Sequence, residues 1–438
     1  VDRLAHLGER VNIAVIGAGY AGLAAAAELA ARGVPVTVFE ASRTLGGRAR
    51  RLEKDGLVLD NGQHILVGAY TELLRLMRLV GADADALLQH LPLSLVFPGH
   101  MELRAPRLPA PLHLAVALFT ARGLPFAARL AALRFMRSMK RSGFRLAADM
   151  PLAALLDVHE QPGALRRYLW EPLCISALNT PPAEASAQVF LNVLRDSLAA
   201  SRAASDLLLP RTDFSALFPE PAERFIQARG GEVLRGTPIH GIARQDAAFR
   251  LTGDPQQRDF THVVAAVAPY HLADLVAKLP ELEAAASIVR RFDYQPILTC
   301  YLRYAQPVSF PAPMVGIAGG TAHFLFTRSL PETSHGLVTA VISADGPHLE
   351  LPREELVARI HAEVQGIAGR LPEPDRVQVV TEKRATFACR PGVARPQAAT
   401  PLRNFFLCGD YVASDYPATL ESAVRSGAAC ARLVAGSI

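Results

Sequence analysis

The sequence predicts an α/β fold in which a dinucleotide-binding domain is assembled from separated stretches of chain, with an α+β part and a helical part inserted between them. Three observations predict it. A strand, a glycine-rich turn, a helix and a second strand follow one another from Asn12 to Glu40. Strand-like runs return from Gly230, and a strand, a loop and a helix close the chain at FFLCGD and TLESAVRSGAACARLV. Between these lie a long, mostly helical stretch and a second set of strands. The chain has 438 residues, half of them hydrophobic and a fifth charged, which is a globular composition with length for two or three domains.

The opening unit is the most specific. Asn12 to Ile16 reads as a buried strand, GAGYAG as a turn, LAAAAELAARG as a helix ending at Gly33, and VPVTVFE as a second strand. The turn is GxGxxG at Gly17, Gly19 and Gly22. Gly17 permits a tight turn, Gly19 lets the backbone approach a pyrophosphate, and Gly22 lets helix and strand pack closely. The helix N-terminus offers N–H groups and positive dipole charge to phosphates. Ala18 and Ala21, inside the turn, join this contact set. Glu40 ends the second strand, placed to accept ribose hydroxyls, with Ala41 beside it.

From Glu72 to Ser201 the pattern is mostly helical, broken at PRLPAP, Pro125, Pro151 and NTPPAE. GGEVLRGTPIHGIAR, FRLTG and HVVAAVAP then read as strands. ILTCYLRY, HFLFTR and LVTAVISA alternate as strands, and PREELVARIHAEVQGIAGRL as an amphipathic helix. These changes of period set the expected boundaries. Residues 1–70, 205–290 and 385–438 form the nucleotide domain, 71–105 and 291–384 a substrate domain, and 106–204 a helical lid facing a membrane.

The net charge is only +5, but it is unevenly spread. Between Glu102 and Asp149 stand nine Arg or Lys and no acid. Wound as a helix, Ala127–Ser142 puts Arg134, Arg137 and Arg141 in one arc. Ala128, Phe135, Met136 and Met139 lie opposite, and Leu130 falls out of place near the arginines. A basic amphipathic helix points to an anionic membrane surface. Nucleic acid fits poorly, because the patch carries one pair of aromatics and no binding fold around it. The apolar run Leu108–Ala121 has 14 residues, too short to span a bilayer. The charged lead VDRLAHLGER has no signal-peptide pattern. Cys174, Cys300, Cys389, Cys408 and Cys430 have no metal or redox spacing and read as buried thiols of a reducing compartment. The expected location is a cytoplasm, on the inner face of its membrane.

Downstream motifs distinguish the nucleotide. ASRTLGGRAR, carrying Arg43, Gly46, Gly47 and Arg48, resembles the RxGGR element of the FAD-dependent amine-oxidase and phytoene-desaturase superfamily. FFLCGDYVASDYPATLESAVRSG resembles its closing flavin motif. The resemblance implies a Rossmann-type FAD domain, with Gly409 and Asp410 at the pyrophosphate and ribitol. It places Thr419, Leu420 and Glu421 against the flavin pyrimidine and Ile239 against the adenine. LDNGQHILVGAY and WEPLCISALNTPPAEASAQVFLNVLRDSL are similar to the squalene-associated FAD-dependent desaturases of hopanoid-forming bacteria, a family that includes hydroxysqualene dehydroxylases. That likeness runs along essentially the whole chain. It implies reduction of hydroxysqualene to squalene and water by reduced FAD, a C30 isoprenoid substrate, and an electron-donor protein or quinol. Gly62 and Gln63 become flavin contacts. His64 becomes the first candidate proton donor, followed by Asp415 and Tyr416 in the loop before the closing helix. Glu171 and Asn179 are weaker cavity candidates, and Trp170 reads as core. Two alternatives stay open: a terpenoid desaturase or a porphyrinogen or amine oxidase, and a prenyl-lipid carrier of the GDP-dissociation-inhibitor type.

Overall fold

The computed structural model describes residues 11–327 and 336–438. The charged lead and the arginine that ends HFLFTR lie outside the described residues.

The opening strand, Ile13–Ile16, is buried at every position, as a strand covered on both faces requires. The first helix, Tyr20–Ala31, connects it to Val36–Glu40, and the two strands pair in parallel. They sit inside a five-stranded parallel sheet in the order 232–235, 36–40, 13–16, 262–265, 405–407. The sheet therefore draws on the start, the middle and the end of the chain. The closing helix, Leu420–Ser437, lies on the first helix. A Cβ at Gly427 would come 2.2 Å from the Ala21 carbonyl oxygen, so only glycine permits this approach.

A second sheet is antiparallel, in the order 314–316, 324–327, 337–343, 294–303, 376–387. Helix Arg353–Ala368 covers it with Leu356, Ile360 and Val364, spaced by four on one face. Trp170 belongs to the helical core. It is 1% exposed and donates its Nε1–H to Gln161 Oε1 at 3.0 Å. All five cysteines are buried and unpaired.

One sequence expectation changes. The stretch from Glu72 is less helical than its composition suggests, because Leu88–Leu91, Ser94–Phe97 and Met101–Arg104 are strands. Gly99, at φ +75°, turns the chain between the last two. Met101 and Leu103 point inward while Arg104 faces water, but four residues are too few for this period of two to stand out in sequence. The basic helix spans Phe126–Arg141, with Ala128, Ala131, Ala132, Phe135 and Met139 buried. Leu130 is 39% exposed, so it does share the arginine face. Among the described residues no helix is long and apolar enough to cross a membrane.

Candidate functional site

The glycine turn has the geometry its spacing requires. Gly17 has φ +107°, and a Cβ there would lie 2.7 Å from the Ala266 carbonyl oxygen. A Cβ at Gly22 would lie 2.0 Å from the Gly17 carbonyl oxygen. Gly19 differs: a Cβ there would meet only the Gly47 Cα, at 3.8 Å. The second glycine turn folds onto the first. Gly46 N–H donates to the Ala18 carbonyl at 3.0 Å, and Gly46 and Gly47 take φ values of +116° and +64°. Two glycine-rich turns thus face each other at the N-terminus of the first helix, and the backbone at Gly19 is open.

Glu40 completes this cradle. Its carboxylate accepts the Ala18 N–H at 2.7 Å and the Ser42 N–H at 2.8 Å, so it is fixed at the end of the second strand. Ala18 and Ala21 are buried within the turn, and Ala41 and Arg43 are exposed beside it. The segment leading to half-buried Ile239 reaches the same place, because Gly236 N–H donates to Ser42 O and Thr237 N–H to Glu40 O. Open glycine backbone at a helix N-terminus, with a carboxylate at the neighbouring strand end, fits the pyrophosphate and ribose of a dinucleotide.

The charged residues of the two flavin-like motifs are engaged with each other. Arg48 donates to both oxygens of Asp410, at 2.6 and 2.7 Å, and to the Ala385 carbonyl at 2.6 Å. Arg48 and Asp410, both expected near the pyrophosphate and ribitol, are paired with each other in this structure. Burial would lower the Arg48 pKa, but the Asp410 carboxylate outweighs it and keeps the guanidinium charged. The pair locks the RTLGGR turn, the closing motif and the long strand 376–387 together. Beside it, Tyr294 Oη and Tyr411 Oη are buried without a hydrogen-bond partner among the described residues, and burial pushes the Tyr294 hydroxyl up to about 12.

Arg395 is the residue that sequence reasoning missed. Its guanidinium donates to the carbonyls of Asp410 (2.6 Å), Tyr411 (3.2 Å), Ser414 (3.0 Å) and Tyr416 (2.8 Å). One side chain therefore shapes the whole loop after Gly409. Nothing local in RPGVARPQ signals this, because the partners are backbone atoms some 15 to 21 residues away.

The candidate proton donors fall in different surroundings. His64 is half-buried against the Phe214 ring, with centroids 5.0 Å apart, and its Nδ1–H donates to the Gly62 carbonyl at 2.8 Å. Gly62 and Gln63 are buried. Gln63 Nε2–H donates to the His64 carbonyl, and its Oε1 is unsatisfied among the described residues. Asp415 is exposed, and its carbonyl accepts the Asn192 side chain at 2.9 Å. That bond anchors the loop through its backbone. Asn179 is structural too, spanning the Thr386 hydroxyl and the Ala344 N–H. Glu171 is half-buried at the start of its helix.

The closing helix is capped by Thr419, whose hydroxyl accepts the Ser422 N–H, and Leu420 is half-buried in its first turn. The Glu421 carboxylate accepts the N–H groups of Glu72 and Leu73 at 3.0 Å and the Arg425 Nε–H at 2.7 Å. It caps the helix Thr71–Leu79 and so ties that helix to the start of the closing one.

Tyr416 donates its hydroxyl to Asp196 Oδ2 at 2.7 Å, while Arg195 holds the same carboxylate. Burial pushes the Asp196 pKa up, but these hydrogen bonds outweigh it and hold it below the usual range. Its contribution to stability is complete above the unfolded value of about 3.9 and is lost as pH falls through the lower folded one. Tyr416→Phe therefore costs about 1 kcal/mol at pH 7, a gap that closes below about pH 4. Urea unfolding of both proteins from pH 3 to 7 measures it.

Comparisons with known proteins give the family. The model of the family "flavin containing amine oxidoreductase" matches residues 20–435. A hydroxysqualene dehydroxylase of Rhodopseudomonas palustris is 32% identical over 445 aligned residues, covering 97% of this chain and 98% of that protein. A zeta-carotene desaturase of Capsicum annuum is 25% identical, covering 96% of this chain and 80% of that protein. In structure, the cyclohexylamine oxidase of Brevibacterium oxydans superposes with a TM-score of 0.70 at 19% identity, covering 98% of this chain and 99% of that one, a likeness of fold alone. The chain belongs to the family of flavin-containing amine oxidoreductases, an FAD-binding group, and within it to the hydroxysqualene dehydroxylases.

Proposed function

We propose that this protein removes the hydroxyl of hydroxysqualene, giving squalene and water at the expense of reduced FAD. The observation that carries this is the end-to-end likeness to a protein named for that reaction, on a chain whose glycine cradle and Glu40 are intact. The residues that would hold FAD are Gly17, Gly19, Gly22 and Glu40 with Gly46 and Gly47, the Arg48–Asp410 pair, Gly409, and Thr419 with Leu420. Bound and reduced, FAD supplies the hydride.

The chain's own contribution is to bind, orient and protonate. The substrate hydroxyl is allylic, so protonating it lets water leave as positive charge spreads over the double bond. His64 is the proposed donor. The Gly62 carbonyl fixes its Nδ1–H, which directs any transferable proton to Nε2. An apolar pocket around the substrate hydroxyl would keep bulk water from the developing cation. The carotene desaturase likeness is weaker, and amine oxidation is disfavoured by the lysines. All four, Lys54, Lys140, Lys278 and Lys383, are exposed. A C30 hydrocarbon has its reservoir in a bilayer, so we place the enzyme on the inner face of a bacterial cytoplasmic membrane, re-reduced by a donor protein or quinol.

The test is product identification by mass after dithionite-reduced enzyme meets hydroxysqualene in detergent. Squalene is expected from wild type, and His64→Gln slows it by roughly 100- to 10,000-fold with flavin still bound. Full turnover by the variant removes His64 from the role. A colourless wild-type protein returns the lipid-carrier reading.

A further inference from the structure

Among the described residues nine large hydrophobic side chains are exposed, and five fall within residues 108–130: Leu108, Leu112, Phe119, Phe126 and Leu130. The last four form one surface. Leu112 and Phe119 lie seven residues apart on helix Leu112–Thr120, hence on one face. Phe126 and Leu130 lie four apart at the start of the basic helix. The Phe119 and Phe126 rings join the two stripes edge to face, with centroids 6.1 Å apart, although each is more than half exposed.

The hairpin tip is built, not floppy. Arg122 and Glu102 exchange backbone hydrogen bonds, and Gly123 turns so tightly that a Cβ would lie 1.8 Å from the His100 carbonyl oxygen. The Arg129 guanidinium donates to the carbonyls of Phe119 and Leu124. An apolar ridge held this firmly in water is costly unless something covers it.

The charge beside it identifies what does. At 100° per residue, Phe126, Leu130, Arg134, Arg137, Lys140 and Arg141 share one face of the helix, and all six are exposed. Apolar residues occupy its first half and cations its second. From Phe126 to Arg134 is about 12 Å along the axis, comparable to the depth between acyl chains and headgroups. The place of Leu130 is thereby explained, since it belongs to the inserted end of a face divided along its length.

We propose that this helical hairpin docks on a bilayer rich in anionic phospholipid, tilted, with the Phe119–Phe126 ridge among the acyl chains and Arg134, Arg137, Lys140 and Arg141 on the headgroups. The proposal deepens the reading of a lipid-converting enzyme and locates its membrane contact.

The test uses the flavin-loaded protein with sedimenting vesicles of phosphatidylcholine alone and with 30% phosphatidylglycerol. Wild type partitions strongly only onto the anionic vesicles. Neutralising Arg134, Arg137 and Arg141 to Gln weakens that partitioning by about a hundredfold, taking each cation as worth roughly fivefold. Phe119→Ser with Phe126→Ser abolishes binding to both. Turnover of detergent-dispersed hydroxysqualene stays at the wild-type rate in both variants, so loss of docking and loss of function are read separately. Wild type that stays in solution with anionic vesicles, or variants that sediment like wild type, overturns the proposal.

Discussion

Arg48→Met is expected to lose about 3 kcal/mol of stability and to purify without flavin. The Arg48–Asp410 pair is bidentate, and the Asp410 side chain is only 9% exposed, so removing the guanidinium strands a buried carboxylate. Asp410→Asn is milder, because an amide oxygen still accepts from Arg48. The double variant Arg48→Met with Asp410→Asn recovers most of the stability, since no unpaired charge remains, but not the flavin. Guanidinium unfolding of the four proteins gives the coupling energy, and flavin absorbance gives occupancy. A single variant as stable as wild type would show that the pair does not hold the three segments together.

Gly19→Val and Gly22→Val, three residues apart, are expected to fail differently. Gly19 has extended backbone at φ −75° and only Gly47 Cα near its would-be Cβ, so valine there fits the protein. Its branches occupy the space a pyrophosphate needs. The variant folds with an ordinary melting temperature, is colourless, and binds added FAD at least a hundredfold more weakly, by roughly 3 kcal/mol. Gly22→Val is expected not to fold, because its Cβ would stand 2.0 Å from the Gly17 carbonyl oxygen, where the first helix packs on the glycine turn. Circular dichroism and flavin titration separate the two outcomes. A yellow, active Gly19→Val would contradict the cradle.

What could be read from sequence follows how local each requirement is. The roles of Gly17, Gly19 and Gly22 were legible because each is set by neighbours a few residues away. The parallel strands were legible because burial on both faces demands apolar runs such as IAVI and HVVA. The strands at 88–104 are not, because partial burial leaves no unbroken apolar run and four residues are too few for an alternation to show. Contacts across the fold were illegible for a different reason. Arg48 and Asp410 were both read as cofactor ligands, and nothing in either motif shows that they face each other across 362 positions. Nothing in TLES shows that the Glu421 carboxylate caps the distant helix Thr71–Leu79. Arg395 binds carbonyls, which have no sequence signature. The basic helix was legible as amphipathic, but the lengthwise division of its outer face needed the hairpin partner Phe119.

Reducing equivalents held on the flavin should leave with the substrate's oxygen as water. An anaerobic single turnover tests this, mixing two-electron-reduced enzyme with one equivalent of hydroxysqualene while flavin absorbance and product mass are followed together. Oxidised flavin is expected to appear at the rate of squalene formation, one for one. Flavin that stays reduced with the alcohol unchanged, while oxidised enzyme instead desaturates a terpenoid, would contradict it.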